Sequence, residues 1–383
     1  MSKFRFGLLV VLASACAVLA AGAPSAASSV VGHVYVNDNT GGVNTIAAFD
    51  RHADGTLTPM PGSPFAAGGV GTGKAILSQG ALQQSSDGRY LLAVDAASNQ
   101  LSVLRIKADG SLKPVGGGPV SSDGVNPVSI AVHGNLVYVA NAGTPTSSGA
   151  TNYTGFTLGT GGHLRPLPGS TVALPDGSQP GDVLFSPDRS KLVGTRIATS
   201  LIDSFTVGGD GLLTAAAGSP FAAEGLGPFG SEFRPTNPAQ VYVSNAHDGT
   251  NAGTVSAFTD SADGTLTPIA GSPFPDNQTA PCWVEISHDG RYLFTVNTGS
   301  TSVSSYSIAA DGSLSLLQST PLNALAAAPE DARLSPDGST LWVVDSAADT
   351  VSGFTVNGGS LTELSTSPTP APVGAAPVGI VVT

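Results

Sequence analysis

Three carboxylates recur in one sequence phrase. Asp182 stands two residues after Pro180 in PGDVLF, and Glu330 and Asp331 follow Pro329 in PEDARL. Other copies of the phrase carry Phe229 one residue after Pro228, and Cys282 and Trp283 after Pro281. If the phrase marks equivalent strands around one axis, Asp182, Glu330 and Asp331 converge beside an apolar wall of Trp283, Cys282 and Phe229. Converging carboxylates offer hard oxygen ligands to a divalent cation, calcium or magnesium, with Asp182 and Asp331 as the ligands. They serve equally as general bases toward water. Solvated charge on an acidic rim is the plainer alternative.

The remaining reactive residues are few. Once the N-terminal leader described below is removed, Cys282 is the single cysteine, and His247 in SNAHDGT lies in the adjoining repeat. Together they would form a nucleophile pair, whereas a lone cysteine among apolar strand residues otherwise reads as buried filler. The chain holds no GxSxG, no HExxH and no phosphate loop.

These residues need a scaffold, and a repeat supplies it. ADGTLTPMPGSPF (53–65) and ADGTLTPIAGSPF (262–274) agree at eleven of thirteen positions. Aligning on the leucine finds seven copies, at Leu57, Leu112, Leu164, Leu213, Leu266, Leu314 and Leu361, spaced 47 to 55 residues apart. Asp-Gly or Gly-Gly precedes each leucine and supplies the positive φ that tight hairpins require. A period near 50 indicates a propeller or solenoid. Each repeat resolves into four short β-branched runs separated by Gly, Asp and Ser, and no stretch sustains a helical period. The expected fold is all-β: a seven-bladed propeller with four antiparallel strands per blade.

The two chain ends imply how the ring closes. PVGIVV (377–382) repeats the inner-strand phrase PVSIAV (127–132), while VVGHVYVNDN (30–39) matches a second strand. The final strand is therefore expected to pair beside Val34–Asn37 and complete the first blade, leaving no open edge. Second strands then end at Asn37, Asp95, Asn141, Arg196, Asn245, Asn297 and Asp345 on the same rim as the inner-strand starts. Six of these are Asn or Asp, which bond nearby backbone. Arg196 breaks the pattern and joins the candidate catalytic group, with Asn245, Asn297 and Asp345 as candidate binding residues. GSPF recurs at 62–65, 218–221 and 271–274. Each Phe either covers a blade edge or meets a partner.

Charge and leader bound the cellular role. Lys3 and Arg5 precede an apolar run and then PSAASS, the order of a secretory signal over residues 1–27. A single propeller domain is expected over residues 28–383. Cleavage is expected after Ala27, with a retained membrane helix or lipid attachment at Cys16 as the alternatives. The formal net charge is −12, or −14 without Lys3 and Arg5. Such a surface repels phosphate backbones and anionic lipid, so no nucleic acid partner is expected, and no membrane span after leader removal. A secreted or periplasmic monomer is expected.

Two stretches carry a family resemblance: SPDGSTLWVVDSAADTVSGFTVNGGSL (335–361) and SHDGRYLFTVNTGSTSVSSYSIAADGSL (287–314). They resemble the bacterial lactonase family of seven-bladed propellers, which includes 6-phosphogluconolactonase-like proteins and carboxymuconate cyclases. The motifs are shared with surface-layer propellers bearing Y-V-T-N repeats. The resemblance covers the chain beyond the leader and implies lactone hydrolysis at the axial mouth. It also implies a His, two Arg and a Glu at positions that hold Gly181, Phe229, Cys282 and Ala246 here. The cationic site that would hold a phosphate or carboxylate is thus replaced, and Arg196 and Arg333 compensate only in part. Two readings follow: a hydrolase of a neutral or cationic lactone, or a non-catalytic propeller binding a protein or glycan in the cell envelope.

Overall fold

The computed structural model describes Met1, Lys3 and residues 28–144, 148–372 and 374–383. Apart from Met1 and Lys3, the expected leader, including Cys16, lies outside the described residues. No helix among them is long and apolar enough to cross a membrane.

Seven antiparallel sheets form the blades of a propeller. Their inner strands are Val378–Val382 (blade 1), Leu82–Gln84 (blade 2), Pro127–His133 (blade 3) and Pro180–Phe185 (blade 4). Pro228–Phe233, Pro281–Ile286 and Pro329–Leu334 serve blades 5 to 7. Proline opens five of these strands, where its missing N–H costs no ladder bond. The ring closes as the termini imply: Val34 pairs with Val382, Tyr35 with Val381, Val36 with Ile380 and Asn37 with Val378.

The leucine pattern marks the hairpins between third and fourth strands. The glycine before each leucine adopts positive φ in all seven blades, from +60° at Gly358 to +90° at Gly312. Six of the seven leucines are buried, so each anchors a blade's outer strand to the core. These turns also latch neighbouring blades. Tyr35, Tyr138 and Tyr242 donate their hydroxyls to the carbonyls of Gly110, Gly211 and Gly312, each in the next blade. A buried tyrosine hydroxyl needs such an acceptor, and each bond contributes about 1 kcal/mol net.

Six sheets carry a short fifth stretch that returns onto the third strand. In three blades it begins with the Phe of GSPF, at Phe65, Phe221 and Phe274. The preceding serine hydroxyls accept the third-strand amides of Ala48, Ser204 and Ala257, replacing the ladder where the strand breaks. Phe274 is buried and the other two half-buried, packed on core clusters. The repeated motif therefore closes blade edges.

Candidate functional site

Propeller connectivity places interblade connections and second-strand ends on one rim, the mouth rim. Of the residues expected to converge there, Asp331 and Trp283 meet the same interblade connection at the axial mouth, beneath the surface, and Asp182 feels the Asp331 charge. Asp182, Asp331 and Trp283 are each at most 2% exposed. Asp182 accepts Ser231 N at 2.9 Å and Ser231 Oγ at 2.5 Å through Oδ2, and Ser129 Oγ at 3.2 Å through Oδ1. Burial outweighs these bonds and pushes its carboxyl up to about 7. Asp331 accepts Gly80 N at 3.1 Å and Ala332 N at 2.9 Å. Burial raises it to about 6, with Arg333 pulling the other way.

What covers the ring is the connection between blades 1 and 2. Residues 74–80, KAILSQG, leave the rim and enter the axial mouth. Ser78 Oγ donates to Val128 O of blade 3, and Trp283 Nε1 of blade 6 donates to Ser78 O. Gln79 N donates to Gly181 O of blade 4 at 3.0 Å. The Gln79 carboxamide donates to Ser231 O of blade 5 at 2.8 Å and accepts Val284 N of blade 6 at 3.0 Å. Gly80 N reaches Asp331 of blade 7. Three consecutive residues thus bond five blades. Gly230 leaves the room they need, since a Cβ there would stand 2.0 Å from Gln79 Oε1.

Strand alternation puts a second ring two residues deeper, with Leu184, Glu232, Glu285 and Arg333 facing the axis. Arg333 Nη1 meets Glu285 Oε2 at 3.1 Å, and Glu285 Oε1 accepts Leu334 N at 3.0 Å. That pairing holds the guanidinium firmly charged, Glu285 being the main cause. Burial, followed by the Glu285 charge, raises Glu232 to about 8. Four carboxylates and one arginine therefore line the axis.

The other predicted residues separate from this constellation. Glu330 is buried between blades 6 and 7, with Oε1 accepting Ser346 Oγ at 2.9 Å and Oε2 without a partner. The Cys282 thiol donates to Ala280 O at 3.3 Å, and burial pushes it up to about 12. A thiol so disfavoured from ionising is no nucleophile at neutral pH. His247 is exposed on the rim loop beside Gly227. Phe229 and Trp283 pack with ring centroids 5.0 Å apart, tilted 56° to one another, as part of the buried core.

Second-strand ends act as clasps onto the third strand. Asn245 Nδ2 reaches Thr254 and Ser256, Asn297 Nδ2 reaches Ser302 and Ser304, and Asp345 Oδ2 accepts from Thr350 and Ser352. Arg196 makes the same clasp with charge. Its Nε donates to Asp203 Oδ2 at 2.7 Å, and Tyr153 OH donates to the same oxygen at 3.0 Å. Among the described residues, no group of three or more His, Cys, Asp or Glu side chains is arranged to hold a metal ion. A cleft of about 360 Å³ opens at the opposite rim, along the seam of blades 1 and 7. Its Arg51 donates to the carbonyls of Val31 and Thr383, far from the axial carboxylates.

Residues 232–377 match the family model described as Lactonase, 7-bladed beta-propeller. Among solved structures, the chain is similar to a candidate 6-phosphogluconolactonase from Bacteroides uniformis. The two are 20% identical with a TM-score of 0.72, over 92% of this chain and 99% of that one. A candidate 6-phosphogluconolactonase from Bacteroides fragilis is 21% identical, with a TM-score of 0.71 over 94% and 99% of the two chains. The periplasmic gluconolactonase of Pseudomonas aeruginosa is 18% identical, with a TM-score of 0.71 over 92% and 99%. Identities this low establish the shared fold alone. No curated protein matches the sequence.

Proposed function

We propose that this chain, a seven-bladed propeller resembling the lactonase family, hydrolyses a lactone at its axial mouth. The carrying observation is the pair of buried carboxylates, Asp182 and Asp331, raised to about 7 and about 6. A base with a value near the working pH combines the ionised form with real proton affinity. Asp182 takes a proton from water as the water oxygen bonds to the lactone carbonyl carbon. The carbonyl becomes an oxyanion, for which Val284 N and Trp283 Nε1, the donors that hold the covering connection, are the candidate N–H partners. The ring C–O bond then breaks, and the departing alkoxide takes the proton back from Asp182. Asp331 adds negative potential to the site.

Charge selects the substrate class. With Arg333 committed to Glu285 and Glu232, raised to about 8, largely protonated at neutral pH, Asp331 and the ionised fraction of Asp182 leave the axis net negative. A neutral or cationic lactone suits this axis better than a phosphorylated one. Export follows from the leader-like order of residues 1–27, and fractionation of cells expressing the full chain tests it. The activity test is base uptake in a pH-stat with D-glucono-1,5-lactone and other neutral lactones. Loss of turnover in Asp182→Asn supports the assignment, and undiminished turnover removes Asp182 as the base.

A second reading, a binding propeller, rests on Leu77, Leu226 and Leu325. All three lie on mouth-rim connections and are 44%, 57% and 89% exposed. Apolar residues projecting from rim loops suit a protein partner. A wild-type protein inactive on every lactone tested selects this reading.

A further inference from the structure

We infer that residues 74–80 form an autoinhibitory plug whose amide carbonyls occupy the place of the substrate carbonyl. The inference rests on the lactone-hydrolysis reading for the identity of what is excluded, but the plug itself rests on contacts. An ordinary interblade connection stays on the rim, where its backbone meets water. This one turns inward at Gly73 and Gly80, both at positive φ, and buries Ser78, Gln79 and Gly80. Between them they present two carbonyl oxygens to two N–H donors: Gln79 Oε1 to Val284 N, and Ser78 O to Trp283 Nε1.

An amide carbonyl and a lactone carbonyl accept hydrogen bonds in the same plane and through the same oxygen geometry. The donors that hold the plug are therefore those that a planar ester ring would engage. The Gln79 amide nitrogen also fills the acceptor Ser231 O, on the same residue whose N–H and hydroxyl hold Asp182. With the plug seated, water and substrate have no polar position left beside that carboxylate. Withdrawal frees the donors Val284 N and Trp283 Nε1 and the acceptors Ser231 O, Gly181 O and Val128 O, and a molecule offering a carbonyl oxygen beside several hydroxyls replaces most of these bonds. The recognised class is a hydroxylated lactone, or a hydroxy-acid amide that mimics it.

The segment also carries the means of withdrawal. Lys74, Ala75 and Leu77 face solvent while Ser78 to Gly80 are buried, so the plug has an accessible outer side. Closed and open forms differ by seven hydrogen bonds and the burial of Ile76, and a ligand that displaces the plug must replace much of that contact.

Two variants test this with gluconamide, which is not a lactone, as the binding probe and D-glucono-1,5-lactone as substrate. Gln79→Ala removes both carboxamide bonds. Gly230→Ala leaves Gln79 intact and drives a Cβ into its oxygen, while also crowding Cys282 O at 2.8 Å, so it is read together with Gln79→Ala, which adds no bulk. Each variant should bind gluconamide about tenfold more tightly than wild type, with faster amide exchange at residues 76–80. Lactone turnover at sub-saturating substrate should rise by a similar factor. If the variants bind the probe no better and exchange no faster, the plug is a fixed structural element and the inference fails. If they bind better and exchange faster but hydrolyse nothing, the plug stands and the hydrolase reading falls.

Discussion

Replacing Glu330 with glutamine should stabilise the protein progressively as pH rises. Glu330 is 4% exposed, and its nearest polar support is one serine hydroxyl. No arginine, lysine or histidine lies within ion-pair distance among the described residues. Burial, with a smaller contribution from the Asp331 charge, raises its carboxyl from the ordinary 4.5 to about 8. The folded value lies above the unfolded one, so the native state keeps a proton that the unfolded chain releases. Stability from this group is complete below about pH 4.5 and declines until about pH 8. At 1.36 kcal/mol per pH unit the decline amounts to roughly 5 kcal/mol, within a typical total of about 5–15 kcal/mol.

Glutamine has the same shape and does not titrate. Its extra amide hydrogens, facing the place where Oε2 has no partner, impose an offset of about 1–3 kcal/mol that is the same at every pH. The diagnostic quantity is therefore the change in the gap between variant and wild type. Urea denaturation at pH 4 and pH 8.5 measures it. The gap should shift by roughly 3–5 kcal/mol in favour of Glu330→Gln at the higher pH. A gap that stays constant within about 1 kcal/mol would refute the claim that Glu330 is a protonated buried acid. Asp182, Asp331, Asp38 and Asp345 titrate in both proteins and largely cancel.

Three further outcomes are expected. Asp182→Asn should lower lactone turnover by about 10²- to 10⁴-fold, and the wild-type rate should rise with pH through about 7, as the base ionises; a flat profile between pH 5 and 8 contradicts the assignment. Asp203→Ala should cost about 3–5 kcal/mol in urea denaturation by stranding Arg196 and the Tyr153 hydroxyl, and a loss below 1 kcal/mol would show that the clasp is replaceable. Millimolar calcium should leave the melting temperature unchanged, because three hydrogen bonds engage Asp182 and two engage Asp331; a concentration-dependent rise would establish a cation site there.

The wheel was legible in the sequence because its signals repeat. Seven turn glycines adopt positive φ, six of the seven leucines are buried, and a strand phrase at the C-terminus lacks a blade of its own. Each constraint is local, so spacing alone reveals it. The ring of Asp182, Trp283 and Asp331 followed from the same register. Its cover did not, because TGKAILSQG occurs once and carries neither alternation nor a turn signature. Gln79 is informative only through contacts with strands more than 100 residues away. Arg196 drew attention for breaking a pattern of Asn and Asp, yet Asp203 seven residues later balances it. Ser102, Ser304 and Ser352 stand at that same offset from Asp95, Asn297 and Asp345, which is the signal that would have identified a clasp. Glu232 and Glu285 occupy the alternate inner-strand positions, and reading two residues deeper would have located them.

The pairing of Val34–Asn37 with Val378–Val382 also dictates an order of assembly. Its partners are nearly the full chain apart; His33 N meets Thr383 O across 350 residues. Bringing such distant segments together costs roughly 5 kcal/mol of chain entropy, so the strands between them must largely form first. Until Val378–Val382 are in place, blade 1 presents an unpaired edge to any neighbouring molecule. Refolding yield should therefore fall steeply with protein concentration, and a chaperone that shields extended segments would be needed longest by Val34–Asn37.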